Sequence, residues 1–257
     1  MTAHAEIRHP VDHFLKSDAV PSVWCSGCGI GIGMHALFLA IEEGRLDHDA
    51  MCVVSGFGCT GRVSEYVRLR SYNVVDGTVF GFGAKLSDEN PGLKVVVFSN
   101  NTDFLMTGGQ DFMEIRKLRS NLLVVHVNNF FYIVTEKGLI PTTPFNRSST
   151  ADFADVPYNI PLTAKAFGAS FIARWTPFHA GWLKYSRMDA LLRQGFSMIE
   201  IVSPCLLYYA NESRIGSPVE RMKFYNDNTV MRNNISMEYL DIRAYRKIIV
   251  GKFLDRG

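Results

Sequence analysis

Five short apolar runs recur along the chain: MCVVS at 51–55, LKVVVF at 93–98, LLVVHV at 122–127, SFIAR at 170–174 and SMIEIV at 197–202. Runs this short are too brief for buried helices and suit strands covered on both faces. Between them stand stretches of helical composition, at 34–43 (MHALFLAIEE), 77–86, 111–119, 162–167 and 180–194. Strands that alternate with helices connect by crossovers, so the pattern predicts an α/β fold with a parallel sheet and helices on both faces. Past Pro204 the rhythm stops. Residues 211–234 are polar and read as irregular, and the closing MEYLDIRAYRKIIVGKFLDRG reads as an arm that packs on a partner or on the domain. The expected organisation is one α/β domain over 1–210 and a C-terminal arm over 211–257, with no repeat, low-complexity tract or linker.

A chain of 257 residues buries roughly three quarters of its unfolded surface and needs no staples. The formal net charge of +2 gives no electrostatic reason to expect nucleic acid or a membrane surface as partner. No apolar run approaches the roughly 20 residues that span a bilayer. The first 16 residues are polar and mixed in charge, without the apolar core of a secretory signal. The reading is a cytoplasmic protein, where thiols stay reduced, so its five cysteines are expected free or metal-bound.

Cys52 lies inside an apolar run and reads as a core thiol; the other four stand beside glycine or proline. VWCSGCGIGIG, at 23–33, holds a Cys-x-x-Cys pair and alternating glycines, which suit zinc, a redox dithiol, an iron–sulfur cluster or a phosphate-binding loop. Zinc sites usually present two close pairs of ligands, and here only Cys25 and Cys28 form one. A dinucleotide loop needs a preceding strand and a ribose-binding acid about 20 residues on, and neither is in place. A cluster needs four thiolates with backbone amides close by, which glycines allow; Cys25, Cys28 and Cys59 meet that description, and Cys205 follows a strand and a proline.

A second constellation is SNNTD after the run at 93–98, followed by Asn128-Asn129 after the run at 122–127. Adjacent strands that end in oxygen-bearing side chains can hold magnesium, which asks for near-octahedral oxygen ligands and often bridges a diphosphate. As a bare pattern it is equally a polar turn.

Taken together the motifs resemble the β subunit of the thiamin-diphosphate-dependent 2-oxoacid:ferredoxin oxidoreductases. The matches run in order: WCSGCG from Trp24, SGFGCTGR from Ser55, AKL from Ala84, TGG from Thr107, NNFFY from Asn128, PTTP from Pro141, FGASFIAR from Phe167 and SPC from Ser203, with a tail match at IIVGKF. The resemblance implies a thiamin-diphosphate-binding fold and a [4Fe–4S] cluster on Cys25, Cys28, Cys59 and Cys205. It implies cofactor contacts from Gly58, Thr60, Asp76, Gly77, Thr102, Asp103, Phe131, Tyr132 and Thr135, and magnesium at Asn101 and Asn129. Arg62 stands where a basic residue can meet a substrate carboxylate, and Lys137 sits in a loop able to close over it. The implied reaction is oxidative decarboxylation of a 2-oxoacid, usually to an acyl-coenzyme A, with electrons leaving through the cluster to ferredoxin. The implied partners are an α subunit, which supplies the glutamate that activates thiamin, and ferredoxin-like or γ subunits.

The chain departs from the family in the cofactor half. Where the family has Gly-Asp-Gly-Asp, Asn100-Asn101-Thr102-Asp103 stands; His-Gly-Arg becomes Asp76-Gly77-Thr78, and Gly-Asn-His becomes Gly109-Gln110-Asp111. A carboxylate is lost beside a dication, and Asp76 places an anion where a diphosphate would lie. Two readings follow: an active oxidoreductase with altered cofactor ligands, or a β-like subunit that keeps the cluster without thiamin and serves electron transfer or assembly. A stand-alone iron–sulfur module is disfavoured by the full-length α/β pattern.

Overall fold

The computed structural model describes residues 10–16, 23–74, 77–106, 108–118, 120–130, 159–205, 217–243 and 246–256. The strands are β1 (Met51–Ser55), β2 (Arg70–Asn73), β3 (Lys94–Asn100), β4 (Leu122–Asn128), β5 (Phe171–Trp175), β6 (Ser197–Val202), β7 (Thr229–Met231) and β8 (Ile248–Asp255). They form one sheet in the order β2-β1-β3-β4-β6-β5-β8-β7. Neighbours pair parallel except β5 with β8, which run antiparallel. The five strands β1, β3, β4, β5 and β6 are buried along their whole length, as the continuous apolar runs require.

Helices cover both faces. On one lie α1 (Gly29–Glu43) and α7 (Ala180–Leu192), packed over Val53, Val96, Phe98, Val125 and Ile201. On the other lie α3 (Val79–Glu89), α5 (Gly108–Leu118) and α6 (Ile160–Ala166), over Val54, Val97, Val124, Ile172 and Met198. Two short helices, α2 (Val63–Tyr66) and α4 (Asn101–Met106), follow β1 and β3.

Each expected strand and helix is present, with bounds that move by a few residues. Two differences change the reading of the motifs. The glycine-rich stretch is not a loop: α1 starts at Gly29, directly after Cys28. Gly29 and Gly33, one turn apart, lie where α1 closes on β6. A Cβ at Gly29 would fall 2.6 Å from the Ser203 side chain and one at Gly33 2.8 Å from Ile201, so the glycines serve close packing rather than a phosphate. Likewise the expected loop at SNNTD is the start of α4. Asn100 Oδ1 accepts from Thr102 N at 2.7 Å and Asp103 Oδ2 accepts from Asn100 N at 2.9 Å, a reciprocal capping box built from Asn and Asp.

Beyond Pro204 the chain is more regular than its polarity suggests. Ser217 and Glu220 form a second capping box that opens α8 (Pro218–Asn228). β8 then joins the sheet beside β5. The tail thus packs on the domain in this stretch. Among the described residues no helix is long and apolar enough to cross a membrane.

Candidate functional site

The parallel strands β1, β3, β4, β5 and β6 point their C-terminal ends the same way, where open α/β sheets bind ligands. Two groups of sequence-predicted residues meet at that end, on opposite sides of the sheet.

The first group is the cysteines. Cys25 and Cys28 are joined by a turn in which Cys28 N donates to Cys25 O at 2.9 Å, and Cys28 is the N-cap of α1. Cys59 sits in the turn after β1, where Gly58 adopts φ +64°. Cys205 follows β6, and its N–H donates to Asn129 O at 2.8 Å, prolonging the β4–β6 ladder past the last strand residue. Two further bonds fix these segments: Trp24 Nε1 donates to Cys59 O at 2.9 Å, and Gly29 N donates to Ser203 Oγ at 2.9 Å. The tryptophan was visible in the motif but its role needed the fold.

The four thiols lie within electrostatic reach of one another. Burial, then the neighbouring Cys25, Cys59 and Cys205, push the Cys28 thiol up to about 11, against a lowering bond from Ile30. Desolvation, then Cys205 and Cys25, also raise Cys59, while Arg62 opposes them. Cys25, Cys28 and Cys205 are half-buried and Cys59 exposed. Among the described residues no three His, Cys, Asp or Glu side chains gather closely enough for a single ion. A cubane instead takes each thiolate on a different iron, so its four sulfurs stand apart around it. Cysteines from three segments, with Cys28 at the N-terminus of a helix, fit such a metal core, which binds them as thiolates. Cys52, by contrast, is a fully buried core thiol.

The second group is the Asn101 corner. Asn101 is 1% exposed, and both ends of its amide are engaged. Its Nδ2 donates to Asn128 Oδ1 at 2.9 Å, and its Oδ1 lies 2.9 Å from His126 Nε2. Asn128 Nδ2 donates to Glu200 Oε1 at 2.7 Å, and Arg174 Nε to Glu200 Oε2 at 2.7 Å. Ser99 Oγ closes the other end, 3.2 Å from His126 Nδ1. Ser99, His126, Glu200 and Arg174 are one register row across β3, β4, β6 and β5, and all four are at most 1% exposed. Burial lowers His126 to about 3, so it is neutral; Nε2 then donates to Asn101 and Nδ1 accepts from Ser99.

The residues beside it are spent in the same way. Asp103 accepts from Phe57 N at 2.7 Å besides capping α4, and a Cβ at Gly56 would meet its carboxylate. Burial pushes it up to about 7 despite the bonds from Asn100 and Phe57 that lower it. Thr60 Oγ1 donates to Phe57 O at 2.9 Å and accepts from Asn100 Nδ2 at 2.8 Å. Thr102 is buried, and Gly77 turns with φ +85° just before α3. Asp111, where the family has histidine, accepts from Gly81 N at 3.1 Å and so caps α3. Magnesium demands an octahedron of available oxygens. The described residues do not fit it: the carboxylate next to Asn101 is bound to backbone amides, and the Asn101 oxygen faces a histidine donor inside the protein.

Arg62 is near Cys59 and pairs with Glu65 at 3.0 Å, half exposed. Asn129 is half-buried and close to Cys205 through its carbonyl. Asp76, Phe131, Tyr132, Thr135 and Lys137 lie outside the described residues.

Comparison with known proteins gives the family. The family described as "Thiamine pyrophosphate enzyme, C-terminal TPP binding domain" matches residues 77–201. The chain is 34% identical over 251 residues to the 2-oxoglutarate synthase subunit KorB of Methanothermobacter marburgensis, covering 96% of this chain and 87% of that one. It is 33% identical to the KorB of Methanocaldococcus jannaschii, over 96% and 92% of the two chains. It is 30% identical to the β subunit of 2-oxoacid:ferredoxin oxidoreductase 2 of Aeropyrum pernix, over 72% and 61%. In fold it resembles 2-oxoglutarate:ferredoxin oxidoreductase from Magnetococcus marinus, solved with 2-oxoglutarate, coenzyme A and succinyl-CoA bound, with TM-score 0.77 and 21% identity over 99% and 87% of the chains. The order of its motifs, its parallel sheet and these relatives agree: the chain belongs to the family of 2-oxoacid:ferredoxin oxidoreductase β subunits.

Proposed function

We propose that this chain works as the β subunit of a heteromeric 2-oxoacid:ferredoxin oxidoreductase and carries a [4Fe–4S] cluster on Cys25, Cys28, Cys59 and Cys205. The reaction is oxidative decarboxylation of a 2-oxoacid with coenzyme A, which yields acyl-coenzyme A, carbon dioxide and two electrons for ferredoxin. The observation that carries the reading is the convergence of four thiols from three separate segments at the ligand-binding end of the sheet. When bound, the cluster supplies transfer of one electron at a time. The chain's own residues fix that centre: Trp24 holds the Cys59 turn, Ser203 holds the start of α1, and the Asn129 carbonyl holds Cys205. Cys59 is the exposed one of the four and would lie on the side from which a bound cluster could exchange electrons. Arg62, beside it, is placed to attract a substrate carboxylate once Glu65 releases it. The α subunit is the expected partner.

The Asn101 corner favours a second reading, in which this subunit keeps the cluster and thiamin diphosphate is not held on its magnesium motif. One preparation tests both. The complex is purified anaerobically with its partner subunits and magnesium, and iron, sulfide and thiamin diphosphate are measured together with 2-oxoacid-dependent reduction of ferredoxin. Four irons per chain with stoichiometric thiamin diphosphate and turnover supports the first reading. Iron without thiamin diphosphate, even after soaking in excess, supports the second. Absence of iron and sulfide overturns the cluster in both.

A further inference from the structure

Arg187, on α7, is fully buried and forms no ion pair among the described residues. Its Nη1 donates to the Gly33 carbonyl, while Nε and Nη2 have no hydrogen-bond partner. The guanidinium lies over the Phe98 ring, 5.5 Å from its centroid. Burial alone accounts for the depression of its basicity to about 9. An arginine stays charged under these conditions, and an uncompensated buried charge is among the costliest features a fold can contain. Aromatic contact returns only a small part of that cost. The structure as described holds a cation without its anion.

The position of that cation indicates the missing partner. Gly33, whose carbonyl the guanidinium meets, is on α1, five residues and so about 8 Å of helix axis from Cys28, the cysteine at its N-cap. Across from it is Ile201, four residues before Cys205; a Cβ at Gly33 would fall 2.8 Å from Ile201 and 3.0 Å from Arg187 Nη2. Arg187 is thus wedged between the two elements that present Cys28 and Cys205. A [4Fe–4S] core with four thiolates is a net anion in either redox state and becomes more negative on reduction. Between buried charges, salt screens little.

We propose that Arg187 is the internal counter-charge of the cluster and raises its reduction potential. The inference rests on the reading that the four cysteines hold a cluster. A cation near the cluster favours the more negative, reduced form, so the subunit would accept an electron more readily than it would with a neutral residue there. Arg187 also explains why Gly33 admits no side chain: the helix must approach closely enough for the guanidinium to reach its carbonyl.

The test uses the complete complex, purified anaerobically, with Arg187→Met and Arg187→Lys. The reduction midpoint is read by potentiometric titration of the electron paramagnetic resonance signal, and thermal unfolding is followed before and after iron is removed by chelation. The expected result is a lower midpoint in Arg187→Met at equal iron and sulfide, with Arg187→Lys close to the wild type. Iron-free Arg187→Met should melt above the iron-free wild type, because an unpaired buried charge is gone. An unchanged midpoint at full cluster content overturns the proposal. So does an Arg187→Met chain that fails to fold, since the cation would then serve the fold without the cluster. Wild-type protein without iron and sulfide would instead overturn the cluster reading itself.

Discussion

The two corners at the C-terminal end of the sheet handle polar groups in opposite ways. At the cysteine corner burial and the neighbouring cysteines hold the thiols of Cys28 and Cys59 up, Cys59 is exposed, and among the described residues no group answers the four as a set. At the Asn101 corner each polar side chain is answered by another, from Ser99 through His126, Asn101, Asn128 and Glu200 to Arg174. The first arrangement is closed only by the proposed cluster, and the second is closed among the described residues themselves. Sites that await a partner are recognisable by what they leave unresolved, and a family motif can persist in sequence position after its groups have turned to one another.

Four measurements would break or sharpen this contrast. The largest effect is expected from Cys59→Ser: after anaerobic purification the broad visible absorbance and the iron and sulfide should be lost, and unchanged iron and sulfide would remove the cysteine corner from the argument. Next, Glu200→Ala leaves Arg174 charged and buried against the carbonyls of Leu240 and Ile249 and the Phe253 ring, with no carboxylate. Loss of one partner of a buried pair costs about 3–5 kcal/mol, which denaturant unfolding would detect. A loss below about 1 kcal/mol, the ordinary size for a surface pair, would mean the row is not closed.

The third concerns Asn101→Asp, which restores a carboxylate but replaces the donor to Asn128 by an acceptor. The cost should be about 1–3 kcal/mol, unrelieved by magnesium if the corner is sealed. A magnesium-dependent rise of Tm in this variant would show a latent cation site. The fourth is a pH dependence. His126 in the folded chain titrates near 3 and an unfolded histidine near 6.5, so between those values the unfolded chain binds more protons. Stability conferred by the neutral ring is full above about 6.5 and is lost as pH falls towards 3. His126→Gln should flatten that part of the profile of unfolding free energy against pH, and an unchanged slope would place the ring in water.

Much of this was legible in the sequence, and the failures have physical reasons. β1 and β6 could be bounded to the residue because apolar runs fully buried on both faces end where polarity begins. β2 was not seen, since an exposed edge strand, RSYN, has no apolar signature. The cysteine corner could be assembled from spacing and neighbouring glycines, but the glycines themselves were open to misreading: periodicity cannot separate a phosphate loop from a helix pressed against a strand. SNNTD could have been read as Asn-x-x-Asp, the start of a helix, had the magnesium pattern not competed for the same letters. The row through His126, Glu200 and Arg174 shows in sequence only as one polar residue inside each of three apolar runs. Register, which no local pattern specifies, turns those three into a single network.

The place of Arg174 on β5 has a consequence for synthesis. β5 pairs with β6 on one side and with β8 on the other, and β8 begins 73 residues after Trp175 in chain order, at Ile248. At about 5–20 residues per second, β5 stays a bare edge on the ribosome for several seconds after it emerges. An open, apolar edge invites pairing with other nascent chains. A guanidinium in the middle of FIARW is a deterrent to such pairing, because a foreign strand would have to bury it without the carbonyls that Leu240 and Ile249 later provide. The same residue that anchors the finished row thus guards the unfinished edge.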